Sequence, residues 1–379
     1  MSNRSAPTAF EFFAGGGLAG IGLAAGGRGF RTTFANDLDP AKACSFAANH
    51  EAAPHVGDVW GLTPDDLPGR PDLCWASSPC QDLSLAGARG GLEARRSGAF
   101  WGFWRLMQGL EEDGRAPRVV VIENVVGLLT SSGGADFAAV CAALAEGGYR
   151  IGALEMDAAH WLPQSRPRLF IVGVRGGGGS GAAGPQPPFH SDRVVAAYTR
   201  LPARLQQAWA WWRLPAPPQR NVDLASILVP DADVEWFARD ETDRLMALLS
   251  PLHAARLAAA AASGERTVGA AFRRVRTEPG GKAQRLELRF DGLAGCLRTP
   301  SGGSSRQYVV VCDGGQVRVR RLNGRECARL MGVGDDYILP PSESAALKLM
   351  GDAVAVPVVR ALTEGLLLPA LGRGALKAA

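Results

Sequence analysis

The 379-residue chain lacks several features that would place it quickly. Its seven cysteines form no Cys-x-x-Cys pair and approach no histidine pair at zinc spacing, which argues against a disulfide framework and against a metal site. No apolar run approaches the roughly 20 residues of a membrane span. The opening MSNRSAPTAFEFF has no long apolar stretch after a basic start, so no secretory signal is expected and the cytoplasm is the expected compartment. Charge of one sign is also missing: 41 Lys and Arg against 37 Asp and Glu leave +4, too little to diagnose nucleic-acid binding alone. No internal repeat is visible. What remains is an ordinary globular composition, 46% hydrophobic and 21% charged, long enough for two domains.

The first 175 residues alternate short β-like runs with helical ones. TAFEFF leads into a glycine loop and a helix, FRTTFAND into DPAKACSFAANH, and DLCWASS stops at Pro79-Cys80. FWGFWRLMQGLEE precedes RVVVIENV, then ADFAAVCAALAEGG, and RLFIVGV closes the series. This alternation predicts a doubly wound α/β domain on a parallel sheet. The Gly- and Pro-rich RGGGGSGAAGPQPPFH reads as a linker. Beyond it lie an Ala-rich helical stretch and the basic, strand-like QRLELRFDG, and the last 64 residues turn helical again. The expected division is a first domain over 1–175, an inserted smaller domain over 176–315 and a return to the first over 316–379.

Four places can carry chemistry. In FFAGGGLAGIGL, Gly15-x-Gly17-x-x-Gly20 matches a dinucleotide fingerprint, while Phe13-Ala14-Gly15 opens a different nucleotide pocket. Cys80, after Ser-Ser-Pro at a strand end, is either a buried small hydrophobe or a thiol at the ligand-binding edge of the sheet. Glu123-Asn124 ends an apolar strand at that same edge, as an acid/base group or as a turn cap. In LPQSRPRLFIVGV, strand alternation predicts that Arg166 and Arg168 share a face, either as a salt-bridge pair or to orient an anion. Glu265 to Arg306 holds nine basic and four acidic residues, a solvated face or a phosphate-contacting one.

The order of these motifs carries more than any one of them. Glycine loop, Pro-Cys-Gln, Glu-Asn-Val, Gln-x-Arg-x-Arg, variable insertion, Arg-Glu-Cys-Ala-Arg-Leu and Gly-Asp-Ala-Val-Ala-Val-Pro resemble the series of the DNA cytosine-C5 methyltransferases over about 8–175 and 316–375. The resemblance implies a Rossmann-like S-adenosylmethionine-dependent core with an inserted target-recognition domain, acting on a flipped-out cytosine in duplex DNA as a restriction-modification or orphan methylase. It implies Cys80 as nucleophile, Glu123 at N3 of the base, Arg166 and Arg168 as orienting groups, and Asn124 as scaffold. For the methyl donor it implies Phe13, Ala14, Gly15, Gly17, Leu18, Asp37, Leu38, Asp58, Val59, Pro79, Asp352, Ala353 and Val354. For DNA it implies Gln81, Ser84, Arg273, Arg274, Arg276, Lys282, Arg285, Arg298, Ser304 and Arg306, in a monomer that uses no metal and no membrane.

Departures from the family pattern are Leu18 for the last loop glycine, Asn323-Gly324 for Thr-Pro, Gly332-Val333-Gly334-Asp335 for Gly-Phe-Pro-Asp, His160-Trp161-Leu162 for Tyr-Gly-Val, and Asp352 for the Asn of Gly-Asn-Ala-Val. None removes a chemical group, and Asp352 brings a carboxylate near the expected donor. The competing readings are the same chemistry on RNA, a non-catalytic DNA-binding regulator, and a dinucleotide oxidoreductase in which Pro-Cys-Gln has no role.

Overall fold

A computed structural model describes residues 6–79, 98–176, 181–278, 280–299 and 306–372. Two compact units emerge: one runs to Asp157 and includes Pro167–Pro217 and the chain from Val356, the other comprises Ala158–Arg166 and Pro218–Ala355.

The first unit is built on seven strands: β1 (Thr8–Phe12), β2 (Arg31–Asp37), β3 (His55–Val56), β4 (Leu73–Ala76), β5 (Val119–Val125), β6 (Arg150–Asp157) and β7 (Pro167–Val174). Their spatial order is β3-β2-β1-β4-β5-β7-β6. Val119 to Ile122 are fully buried, as a central strand covered on both faces requires. The sheet departs from the all-parallel expectation at one edge, where β7 runs antiparallel to β5 and β6. Only Ala158–Arg166 joins β6 to β7, too short for the dozen-residue crossover that parallel pairing needs.

Helix Pro40–Asn49 starts where the Asp39 carboxylate accepts from the Ala41 amide. Helix Ala99–Glu112 buries Phe100, Phe103, Trp104, Leu106, Met107 and Leu110, one stripe at helical spacing. Two short strands, β8 (Gly181–Ala182) and β9 (Trp211–Trp212), also stay in this unit. Ala210 donates to the Ile151 carbonyl at 2.6 Å and Trp212 Nε1 to that of Val172 at 3.0 Å. The expected boundary at 176 therefore falls at Pro217.

The second unit is an antiparallel sheet ordered β11-β10-β12-β13, from β10 (Thr267–Glu278), β11 (Gly281–Arg289), β12 (Gln307–Asp313) and β13 (Gln316–Arg321). Ala271, Leu286, Leu288, Tyr308, Val310 and Val319 form its core. Helix Gly324–Met331 shows why Asn323-Gly324 can replace Thr-Pro: Asn323 Oδ1 accepts from the Glu326 amide and Glu326 returns to the Asn323 amide. Glu326, fully buried, also takes both arms of Arg320 at 2.7 and 2.8 Å. This helix and Glu343–Asp352 belong to the second unit, so the return falls at Val356 rather than 316.

One expectation about apolar runs fails. By length and composition Glu343–Ala370 could cross a membrane. However, 61% of its most apolar window is buried inside the protein, and the helix ending at Asp352 breaks before a new one starts at Val356.

Candidate active site

In the first unit the carboxyl ends of β1, β2, β4 and β5 bring the loop after β1, Asp37, Leu38, Pro79 and Glu123 to one edge, where ligand crevices of such sheets open. Phe13 (φ 58°), Gly15 (φ 56°) and Gly17 (φ 79°) carry the loop after β1 through left-handed conformations, uncommon for a residue such as Phe13. The loop is tied to β2: the Gly15 amide donates to Asp37 Oδ2 at 2.7 Å, and Asp37 Oδ1 accepts from the Asp39 amide at 2.8 Å. Asp37 thus fastens the loop whatever else it binds. Leu38 beside it is 66% exposed, a large apolar side chain left open at this edge. Ala14 and Leu18 are buried, and Leu18 opens helix Leu18–Ala24. Asp58 caps the turn Val59–Gly61 by accepting from the Trp60 amide at 3.0 Å; Val59 packs inward and Pro79 is exposed.

The glycine spacing has a cause unrelated to phosphate. A Cβ on Gly17 would fall 2.0 Å from His50 Nε2, and one on Gly20 would fall 2.7 Å from Glu11 Oε2. These glycines make room for two side chains beneath the loop. The Cα of Gly15, by contrast, faces open space. Glu11 and His50 escaped the sequence reading, although a carboxylate inside TAFEFF was the available signal. Glu11 is 1% exposed, neither carboxylate oxygen has a hydrogen-bond partner among the described residues, and burial pushes it up to about 8. The Gly20 amide nearby draws it partway back, and the Asp37 charge adds to the rise. His50 stacks on Phe46 with centroids 4.1 Å apart, and burial lowers its pKa.

Gly17→Ala should therefore destabilise the chain by about 2–3 kcal/mol, against roughly 1 kcal/mol for Gly15→Ala. Both positions carry backbone strain, but only Gly17 also displaces His50. Urea unfolding of the two variants checks the difference.

Glu123, two residues before the end of β5, is mostly buried, with Oε1 3.3 Å from Arg168 Nε. The pair sits on adjacent strands, where Val125 opposes Arg168 and Glu123 opposes Phe170. Asn124 Nδ2 donates to the Ser78 carbonyl at 2.9 Å, and its Oδ1 accepts from the Val125 amide. Asn124 so fixes the turn just ahead of Cys80. Cys80, Gln81, Ser84 and Ser304 lie outside the described residues.

Arg166 lies in the second unit, one residue before β7 begins, and Arg168 lies in the first. Arg166 is 1% exposed in the second unit, donating to the carbonyls of Leu297 (2.7 Å), Gly351 (3.0 Å) and Ala353 (2.5 Å). Its guanidinium is committed to the backbone. Gln164, fully buried, likewise donates to Leu330 O and accepts from the Leu297 amide. Asp352 accepts from the Thr299 hydroxyl, Ala353 contributes the carbonyl just named, and Val354 is buried.

The basic segment is less open than its sequence suggests. Arg274 and Arg276 pair with Glu287, Arg285 makes two bonds to Glu278, and Arg289 pairs with Asp291. Cross-strand neighbours on β10 and β11 neutralise one another, which spacing along a single strand does not reveal. Arg273 lies over the Tyr308 ring at 5.9 Å. Lys282 and Arg298 are exposed and form no ion pair among the described residues; Arg306 is half-buried.

This strand order, with an antiparallel β7 and a glycine loop after β1, defines a Rossmann-like methyltransferase fold. Solved structures share it: the Dnmt2 methyltransferase of S. pombe (TM-score 0.61, 17% identity, covering 96% of this chain and 99% of that one) and the Entamoeba histolytica methyltransferase EhMeth (TM-score 0.62, 12% identity, 97% and 99%). The model of the C-5 cytosine-specific DNA methylase family matches residues 8–200 and 270–367, and the chain belongs to that family. Type II methyltransferase M.HhaI of Haemophilus parahaemolyticus is 25% identical over 348 residues, 91% of this chain and 90% of that enzyme. M.BsuFI of Bacillus subtilis is 32% identical over 356 residues, 94% and 71%. Membership of that family makes the chain a DNA (cytosine-5-)-methyltransferase.

Proposed function

We propose that this chain methylates C5 of a cytosine flipped out of duplex DNA, with S-adenosylmethionine as donor. The observation that carries the reading is the Glu123–Arg168 pair at the carboxyl end of β5, in a member of this family that holds Pro79-Cys80-Gln81. The residues fit the donor: Gly15 faces open space, exposed Leu38 offers an apolar surface, and Phe13, Asp37 and Asp58 sit at the same sheet edge. When bound, the donor supplies an electrophilic methyl group.

Carbon 5 of cytosine is too weak a nucleophile by itself. Addition of the Cys80 thiolate to C6 forms an S–C bond and pushes electrons towards N3, where the Glu123 carboxyl gives a proton and Arg168 holds that carboxyl in place. Carbon 5 then reacts as an enamine. After methylation the C5 proton passes to a water molecule, the C5–H electron pair forms the C5–C6 double bond as the S–C bond breaks to release Cys80 as thiolate, and the N3 proton returns to Glu123. Glu123 also accepts from the exocyclic amine, which selects cytosine over thymine. Flipping the base costs a few kcal/mol, supplied by contacts from Lys282, Arg298 and Arg306 and by Arg273, Arg274, Arg276 and Arg285 where they exchange partners for phosphate. The enzyme works as a monomer in the bacterial cytoplasm.

Incubation with labelled donor and duplex DNA, followed by base analysis, tests the reading. Label is expected in 5-methylcytosine from DNA and not from transfer RNA. No 5-methylcytosine across varied duplexes, or label in RNA alone, overturns it.

A further inference from the structure

Arg298 is an exposed cation on a backbone held at four points, all within the second unit. The Leu297 amide donates to Gln164 Oε1 at 3.0 Å and the Leu297 carbonyl accepts from Arg166 Nη1 at 2.7 Å. Both of those side chains are almost wholly buried. Gly351 lies against the peptide that follows: a Cβ there would stand 2.6 Å from Arg298 C and Thr299 N. The Thr299 hydroxyl donates to Asp352 Oδ1. Fixing a residue on both sides costs conformational entropy, and an exposed arginine with no ion pair among the described residues draws no compensating contact from them. Pre-organisation of that kind lowers the cost of binding an anion.

We infer that Asp352 is a positioning residue for DNA: with Thr299 it holds the backbone from which Arg298 meets a DNA phosphate. The family pattern has asparagine where this chain has Asp352, in a motif expected at the methyl donor. A carboxylate is the stronger acceptor for a hydroxyl, and here its partner is the recognition segment. The inference rests on the proposed DNA methyltransferase activity and deepens it, because it assigns Asp352 to DNA rather than to the donor.

The test uses the full chain, a duplex that the wild type methylates, and variants Asp352→Ala, Asp352→Asn, Thr299→Val and Arg298→Ala. Circular dichroism and thermal melting establish that each is folded. Asp352→Ala and Thr299→Val should each raise KM for DNA about tenfold while donor affinity stays within about twofold. Asp352→Asn, which keeps an acceptor, should recover most of the loss. The Asp352→Ala/Thr299→Val double variant should be no worse than either single one, since both remove one interaction. Arg298→Ala should reduce the salt slope of DNA binding by about one. A tenfold loss of donor affinity in Asp352→Ala with KM for DNA unchanged returns Asp352 to the donor and overturns the inference. Additive losses in the double variant, or an unchanged salt slope in Arg298→Ala, overturn it too. Should Asp352→Ala fail to fold, Thr299→Val and Arg298→Ala decide alone. A wild type that forms no 5-methylcytosine defeats the function itself, whereas a methylating wild type with unaffected variants defeats only this inference.

Discussion

Glu123→Gln is expected to slow methyl transfer by roughly 10²–10⁴-fold, the usual contribution of a positioned general acid or base. Glutamine keeps the size and can still accept from the cytosine amine, but it has no proton to give N3. Addition at C6 then builds charge in the ring without relief. Arg168 also loses the carboxylate 3.3 Å from its Nε, so the guanidinium turns to solvent or to the incoming base. Only the reacting state carries the developing charge at N3, so the loss belongs in kcat rather than in DNA affinity. Single-turnover rates with saturating DNA, beside a binding isotherm, separate the two. A fall in affinity with an intact rate would make Glu123 a binding group.

The second large effect concerns stability. Glu11 remains protonated in the folded chain until about pH 8, whereas in the unfolded chain it ionises near its ordinary 4.5. Below pH 4.5 both states hold the proton and the residue has no effect on the pH profile. Between 4.5 and 8 the folded state binds more protons, so stability falls as pH rises, and the loss levels off above 8. At about 1.4 kcal/mol per unit, the difference reaches roughly 4 kcal/mol by pH 8. Glu11→Gln, neutral and of the same shape, should flatten this profile and be the more stable protein at pH 8. Urea unfolding of both proteins from pH 5 to 8.5 checks it. Parallel profiles would mean that the carboxyl is charged or finds a partner.

The two results bear on what a sequence can and cannot convey. The position of Glu123 was legible because a carboxylate near the carboxyl end of an apolar strand falls near the ligand edge by topology alone. Glu11 was not, since nothing in TAFEFF says that its carboxylate lies against Gly20 rather than a lysine. The fingerprint Gly15-x-Gly17-x-x-Gly20 was misleading for a related reason. Two of its glycines answer to His50 and Glu11 from below, a tertiary constraint with no local signature.

Strand alternation also worked only inside strands. Apolar runs located β5 and β7, and alternation covers Arg168 inside β7 but not Arg166 before it, because the boundary at Pro167 cannot be seen in RPRLF. The basic segment was read correctly in composition and less well in consequence, since Glu278 and Glu287 meet their arginines across a hairpin. The domain boundaries moved for the same kind of reason: Trp212 binds Val172 through a contact 40 positions apart in the chain.

Bisulfite sequencing of a plasmid grown in cells expressing the wild type or Cys80→Ala tests the central claim most directly. The expected result is full protection of cytosines within one short sequence for the wild type and none for Cys80→Ala. No protected cytosine with the wild type, or the same pattern with Cys80→Ala, would contradict it.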